Sequence, residues 1–171
     1  RALLSAVADA MAGDDRRPAA ELQVDANGGW TLDHARRMLP LLQERSVVLL
    51  EQPLAPHLDP ERDSAGFAAL HPECPMSLVA DESCWGLEDL LRLAPHVDGV
   101  NLKLLKSGGL SQAWLMARVA QQLGLDLMVG CYSDSRLLNG AAAQLLPLIR
   151  WPDLDSHLNL IDDPFEGLPL E

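Results

Sequence analysis

The sequence predicts an α/β protein built as a partial (β/α)8 barrel of the TIM type, and three observations carry that prediction. Short apolar runs alternate with amphipathic helical stretches along the chain, the pattern of a parallel sheet with helical crossovers. Each run in turn delivers a charged residue at its carboxyl end: Asp25, Glu51, Asp81, Lys103, Asp134 and Asp153. These residues recur about every 26 positions, the length of one strand, loop, helix and loop. In a closed barrel such ends converge on one face, where active sites lie. In an open doubly wound sheet they would spread along an edge, with one crevice at the switch point. No G-x-G-x-x-G fingerprint follows the first strand, which favours the barrel.

The elements follow in order. Residues 1–12 carry apolar positions at helical spacing, and Gly13-Asp14-Asp15 ends them. ELQV (21–24) reads as a short strand that stops at Asp25. Thr31 can cap a helix to about Glu44, with Leu32, Ala35, Met38, Leu39 and Leu42 on one side. SVVLL (46–50) is β-branched and apolar, a buried strand closed by Glu51-Gln52-Pro53. A Pro-rich loop leads to a short helix near 63–70, then to a strand at MSLVA (76–80). LEDLLRLA (87–94) is a helix and GVNLKL (99–104) a strand ending near Lys103 and Gly108-Gly109. SQAWLMARVAQQLG (111–124) is a long amphipathic helix closed by Gly124, followed by a strand at LDLMVG (125–130). After Asp134 an Ala/Leu-rich helix runs to about Leu148, and DLDSHLNL (153–160) is the last strand-like segment.

This makes about six βα units, where a complete barrel needs eight and about 250 residues. An open arc of six strands leaves two unpaired edges. The expectation is the later three-quarters of a barrel, with the segments at 21–24 and 153–160 at its edges. The absence of a leading Met fits a start that lies upstream.

Composition narrows the function. The 171 residues carry a formal charge of −12, with 48% apolar and 22% charged side chains, which suits a soluble globular domain. Such acidity argues against a nucleic-acid partner, whose phosphates it would repel. No apolar run approaches the roughly 20 residues that span a bilayer, so no membrane role is expected. Cys74, Cys84 and Cys131 are odd in number and far apart, which suits free thiols in a reducing cytoplasm. The five histidines never stand at the i, i+4 spacing of a helical metal pair and are expected on the surface or in loops.

The strand ends suggest chemistry. Asp25, Glu51 and Asp81, on successive strands, suit a hard divalent cation such as Mg²⁺, which takes oxygen ligands. Each alone could merely cap the following helix; three together would repel one another without a cation. Lys103 ends the next strand and faces that site, where a nearby cation and partial desolvation would lower its pKa and make it a base. Lys106, three residues on, is expected in a surface ion pair off the site. Asp153 and Asp155 stand at i and i+2, so they share one side of a strand and could hold an ammonium group. A solvated turn after Pro152 accounts for them equally well.

The segments VDANGGW (24–30), LLEQPL (49–54), VADES (79–83), NLKLLKSGGL (101–110) and MVGCYSDS (128–135) resemble the enolase superfamily. The muconate-lactonizing-enzyme subgroup is the most similar branch, and residues 1–171 correspond to the C-terminal portion of its barrel domain. The resemblance implies Mg²⁺ at Asp25, Glu51 and Asp81 and a catalytic base at Lys103. The reaction it implies abstracts a proton α to a carboxylate and stabilises the ene-diolate on the metal. Asp153-Leu154-Asp155 looks like the D-x-D of dipeptide epimerases of the L-Ala-D/L-Glu type, where it binds the substrate's α-ammonium. Asp134, where many relatives carry Glu, is placed with the substrate contacts.

What the resemblance implies is therefore an isomerase, a Mg²⁺-dependent epimerase of small dipeptides, homo-oligomeric when full length. Members of the same superfamily with the same metal site are the alternatives: o-succinylbenzoate synthase, muconate cycloisomerase and N-acylamino-acid racemase. A non-catalytic barrel fragment is the alternative from another class. Two departures stand out. The family's second acid/base lysine, in a K-x-K motif, does not occur in these residues, nor does its N-terminal capping domain. The segment alone is accordingly expected to be inactive.

Overall fold

The computed structural model describes residues 21–166 together with Val7, so the helix expected over 1–12 lies outside the described residues. Six parallel strands run in chain order as one sheet: β1 (Leu22–Asp25), β2 (Val47–Glu51), β3 (Ser77–Ala80), β4 (Gly99–Leu102), β5 (Asp126–Val129) and β6 (Trp151–Pro152). Between them lie α1 (Leu32–Glu44), α2 (Pro60–Leu70), α3 (Leu87–Leu93), the one-turn α4 (Leu104–Ser107), α5 (Leu110–Gln122) and α6 (Arg136–Ala142). Each strand pairs only with its sequence neighbours, which is the order of a barrel and not of a doubly wound sheet. The protein is a partial (β/α)8 barrel.

Helix formation follows the apolar spacing. In α1 the Thr31 hydroxyl accepts the N–H of His34 at 3.2 Å, capping the helix, and Ala35, Leu39 and Leu42 bury its inner face. In α2 Asp59 caps and Pro60 stands at the first turn, where its missing N–H is harmless. In α5 Ala113, Met116, Ala117 and Ala120, at i, i+3, i+4 and i+7, form the buried stripe. The outward side chains of the strands, among them Leu50, Leu78, Ala80, Val100, Leu102 and Leu127, pack under these helices.

The other face of the sheet is the barrel interior. Leu49, Val79, Met128 and Trp151, from β2, β3, β5 and β6, meet there in a separate apolar cluster. Because side chains alternate along a strand, the residues two positions on from these point the same way, at the carboxyl rim. Glu51 follows Leu49, Asp81 follows Val79 and Asp153 follows Trp151.

The last segment departs from expectation. Residues 153–160 form no strand: Pro152 ends β6, the N–H of Asp153 makes one more ladder bond to the Val129 carbonyl at 2.8 Å, and Ser156–Asn159 turn as a 3₁₀ helix. Proline's missing donor and the Asp-Leu-Asp-Ser run favour that turn over further pairing. The second edge is thus β6, opposite the expected β1. The histidine expectation also fails at one position. His157 is buried, with its Nδ1 2.9 Å from Asn139 Nδ2. Among the described residues no helix is long and apolar enough to cross a membrane, and all three cysteines are free.

Candidate active site

Asp25 and Glu51 are direct partners in the β1–β2 ladder, and Glu51 in turn pairs with Val79, two residues before Asp81. Parallel pairing therefore carries three carboxylates to one rim. Glu51 and Asp81 are buried, whereas Asp25 is exposed at the open edge. Asn27 folds over Asp25, its backbone N–H donating to Oδ1 at 2.8 Å and its amide to Oδ2 at 2.6 Å.

Lys103 follows β4 and donates to Asp81 Oδ2. Its Nζ also lies 4.6 Å from the centroid of the Tyr132 ring, a cation–π contact from the β5 loop. Lys106 takes the other carboxylate oxygen, Oδ1, and reaches the Asp81 carbonyl at 2.6 Å. Burial pushes the Asp81 carboxyl up, but the two ammonium groups outweigh it and hold it below its ordinary range. Desolvation likewise lowers Lys103, yet the Asp81 hydrogen bond and charge, with Glu51 behind, hold it above the usual lysine range. The protein's own groups therefore shift Lys103 opposite to the direction a neighbouring cation would impose.

The Lys106 expectation is overturned. Its side chain is 0% exposed, against 10% for Lys103. The reason is local: α4 is a single turn, stopped by Gly108 at φ 84°, and an i, i+3 spacing in a helical turn stacks Lys106 beside Lys103. The Gly108-Gly109 pair was the sequence signal for that turn.

Glu51 accepts from Asn101 Nδ2 at 2.6 Å. That bond joins β2 to β4 across β3, which only the concave face permits. Burial, then the charges of Asp25 and Asp81, push Glu51 up to about 8 in spite of it. Asn101 stands two residues before Lys103, so strand alternation alone would have placed it in the site. The space for both comes from Gly130 on β5's rim. A Cβ there would lie 2.6 Å from Asn101 Nδ2 and 3.0 Å from Lys103 Cε. Gln52, which no local pattern marks, is fully buried and accepts the Asp81 N–H at 2.9 Å.

The remaining acidic positions divide. Asp153 and Asp155 stay together, and with Cys131 they form, among the described residues, the set of three such donors lying within 4.8 Å of one another. Asp25, Glu51 and Asp81 are not drawn that close, since Asn27, Asn101 and the lysines hold their oxygens separately. Desolvation against the barrel wall, then the Asp155 charge, raises the Asp153 carboxyl. Asp134 is buried and turned onto its own loop, where Oδ2 accepts the Tyr132 N–H at 3.2 Å. Its backbone N–H donates to Ser156 Oγ at 3.1 Å, which ties the β5 loop to the residue after Asp155.

Comparison with known proteins agrees with the fold. The family model described as "Enolase C-terminal domain-like" matches residues 1–166. A hydrophobic dipeptide epimerase of Flavobacteria bacterium (strain MS024-2A) is 43% identical over 150 residues, covering 88% of this chain and 42% of that protein. The hydrophobic dipeptide epimerase of Roseobacter litoralis is 40% identical over 171 residues, 100% of this chain and 47% of its own length. Among solved structures, the dipeptide epimerase from Enterococcus faecalis V583 complexed with Mg and the dipeptide L-Leu-L-Tyr superposes with a TM-score of 0.85. It is 29% identical, over 98% of this chain and 46% of that one. The chain spans less than half the length of these relatives.

Proposed function

Because the chain belongs to the enolase C-terminal domain-like family, we propose that the protein carrying it epimerises dipeptides, with Lys103 moving the proton α to the carboxylate. The placement of Lys103 carries this reading. It is the lysine at the rim with a partly open side chain, between the carboxylates of β2 and β3 and the acidic pair after β6. Lys106, sealed against Asp81, serves as a counter-ion.

The donor set fits a hard divalent cation. Asp25, Glu51 and Asp81 offer only carboxylate oxygens, and the burial that raises Glu51 disfavours its negative charge without one. Mg²⁺, present in the Enterococcus structure, would when bound polarise the substrate carboxylate as a Lewis acid. The protein's own groups supply the rest. Lys103 Nζ, deprotonated, takes the α-proton, and the electron pair delocalises into the adjoining carboxylate. Protonated, as its contact with Asp81 favours, the same group returns a proton in the reverse direction. Asp153 and Asp155 would hold the α-ammonium of the dipeptide, placing the carboxyl-terminal residue's α-carbon toward Lys103. Asp134 keeps the β5 loop, and with it Tyr132, in place over Lys103. Epimerisation also needs a base on the opposite face; these 171 residues hold no K-x-K pair, so we assign that base to the protein outside them.

The test is a dipeptide library offered to the full-length protein with Mg²⁺ in D₂O. The expected result is deuterium at the α-carbon of the carboxyl-terminal residue, with inversion there. Turnover of N-acylated amino acids in preference to free dipeptides would sink the assignment of Asp153 and Asp155.

A further inference from the structure

We infer that Gln52 is the positioning residue that sets the spacing of the three carboxylates, an inference that rests on the cation site proposed above. Gln52 is 0% exposed and sits at φ 32°, a left-handed conformation that a non-glycine residue adopts only when its surroundings enforce it. The enforcement comes from six hydrogen bonds to three successive strand ends. Its backbone carbonyl accepts the Gly28 N–H at 2.7 Å, next to the Asn27 that holds Asp25. Its own N–H donates to the Val79 carbonyl at 2.9 Å. Its side-chain Oε1 accepts from the backbone N–H groups of Asp81, at 2.9 Å, and Ser83, at 3.2 Å. Its Nε2 donates to the Leu54 carbonyl at 2.8 Å and to Ser83 Oγ at 2.9 Å.

Two N–H donors on one side and a carbonyl on the other define which end of the amide is oxygen. Every polar position of the residue is therefore used. Glu51 is its covalent neighbour, Asp81 hangs from its amide oxygen, and the loop of Asp25 hangs from its carbonyl. The fastening continues outward: Ser83 Oγ donates to Asp63 Oδ1 at 2.9 Å, and Arg92 closes on Asp63 Oδ2 at 3.0 Å. A side chain that touches none of the reacting atoms thus ties the three carboxylate-bearing segments into one rigid unit. Outer contacts of this kind are typically worth about 10- to 100-fold in cation affinity.

The experiment measures Mn²⁺ binding to the full-length protein without substrate, by calorimetry, beside its melting temperature. Gln52→Met keeps the length and removes all four side-chain bonds, and should weaken Mn²⁺ binding about 10- to 100-fold. Ser83→Ala removes one anchor and should weaken it less. Leu90→Ala, in the core under α3, should lower the melting temperature and leave Mn²⁺ affinity unchanged. Asp81→Asn separates the two readings. If it binds Mn²⁺ as the unaltered protein does, the cation site falls and this role falls with it. If it loses binding while Gln52→Met and Ser83→Ala keep it, only the positioning role is overturned. Should Gln52→Met not fold, unchanged affinity in Ser83→Ala overturns the role by itself.

Discussion

The two halves of the barrel rim treat negative charge in opposite ways. At the ends of β2 and β3, Glu51 and Asp81 are buried, and Asp81 carries two lysines of its own. After β6, Asp153 and Asp155 are exposed, and among the described residues neither forms an ion pair. Buried charge must be compensated inside the protein, because desolvation is several kcal/mol per ion. Exposed charge can wait in water for a partner. The difference teaches which cations are built in: the β6 half keeps its charge open to solvent, while an ion entering the other half has to share Asp81 with two resident lysines.

The comparison can be broken first at Lys106. If the buried half depends on internal compensation, Lys106→Met leaves Asp81 Oδ1 without its ammonium donor, while the Asp81 carbonyl keeps only the Cys84 N–H at 2.9 Å. Lys103 still pairs with Asp81, so the cost is that of a buried acceptor left unsatisfied, about 1–3 kcal/mol, read by urea denaturation of the full-length protein. A loss below about 1 kcal/mol, the size of a surface pair, would erase the contrast between the halves. Lys103→Met should cost at least about 10²-fold in epimerase turnover, while proton exchange survives for the enantiomer facing the opposite base. Retained turnover would move the acid/base role elsewhere.

The exposed half gives smaller effects. Asp153→Asn should raise KM for a free dipeptide about tenfold, from the loss of one charged hydrogen bond of about 1.5 kcal/mol, and leave binding of an N-acetylated dipeptide alone. Equal losses for both ligands would show that the pair does not read the ammonium. The smallest effect concerns pH. Desolvation and the Asp155 charge raise the Asp153 carboxyl, and only its ionised form attracts an ammonium. Affinity should therefore fall, as pH drops, at a higher pH than an ordinary aspartate would dictate. Asp155→Asn removes the largest of the neighbouring negative charges and should move that fall to lower pH. A KM profile that does not move would place the two carboxylates too far apart to interact.

Much of the fold was legible because it is local. The apolar runs and their charged ends located β1 to β5 within a residue or two, and α1 and α5 follow their apolar stripes. β6 was misplaced because Trp151-Pro152 is too short a run to register, while Asp-Leu-Asp imitates strand alternation. In the site, Asp25, Glu51, Asp81 and Lys103 were readable as strand-end charges. Lys106 was not, since a one-turn helix reverses the inference from an exposed-looking lysine. Gln52 could not be found from spacing at all, because its six bonds reach five residues that lie up to 31 positions away from it. Local patterns report which face a residue occupies; they do not report what it ties together.

Gly130 carries a lesson about inheritance. It holds no charge and offers no side chain, yet one added methyl would press on both Asn101 and Lys103. A drifting lineage can displace Asn101 or Lys103 without altering either of them, by a single codon change to alanine here. In this barrel a position with nothing on it still decides where its neighbours can sit.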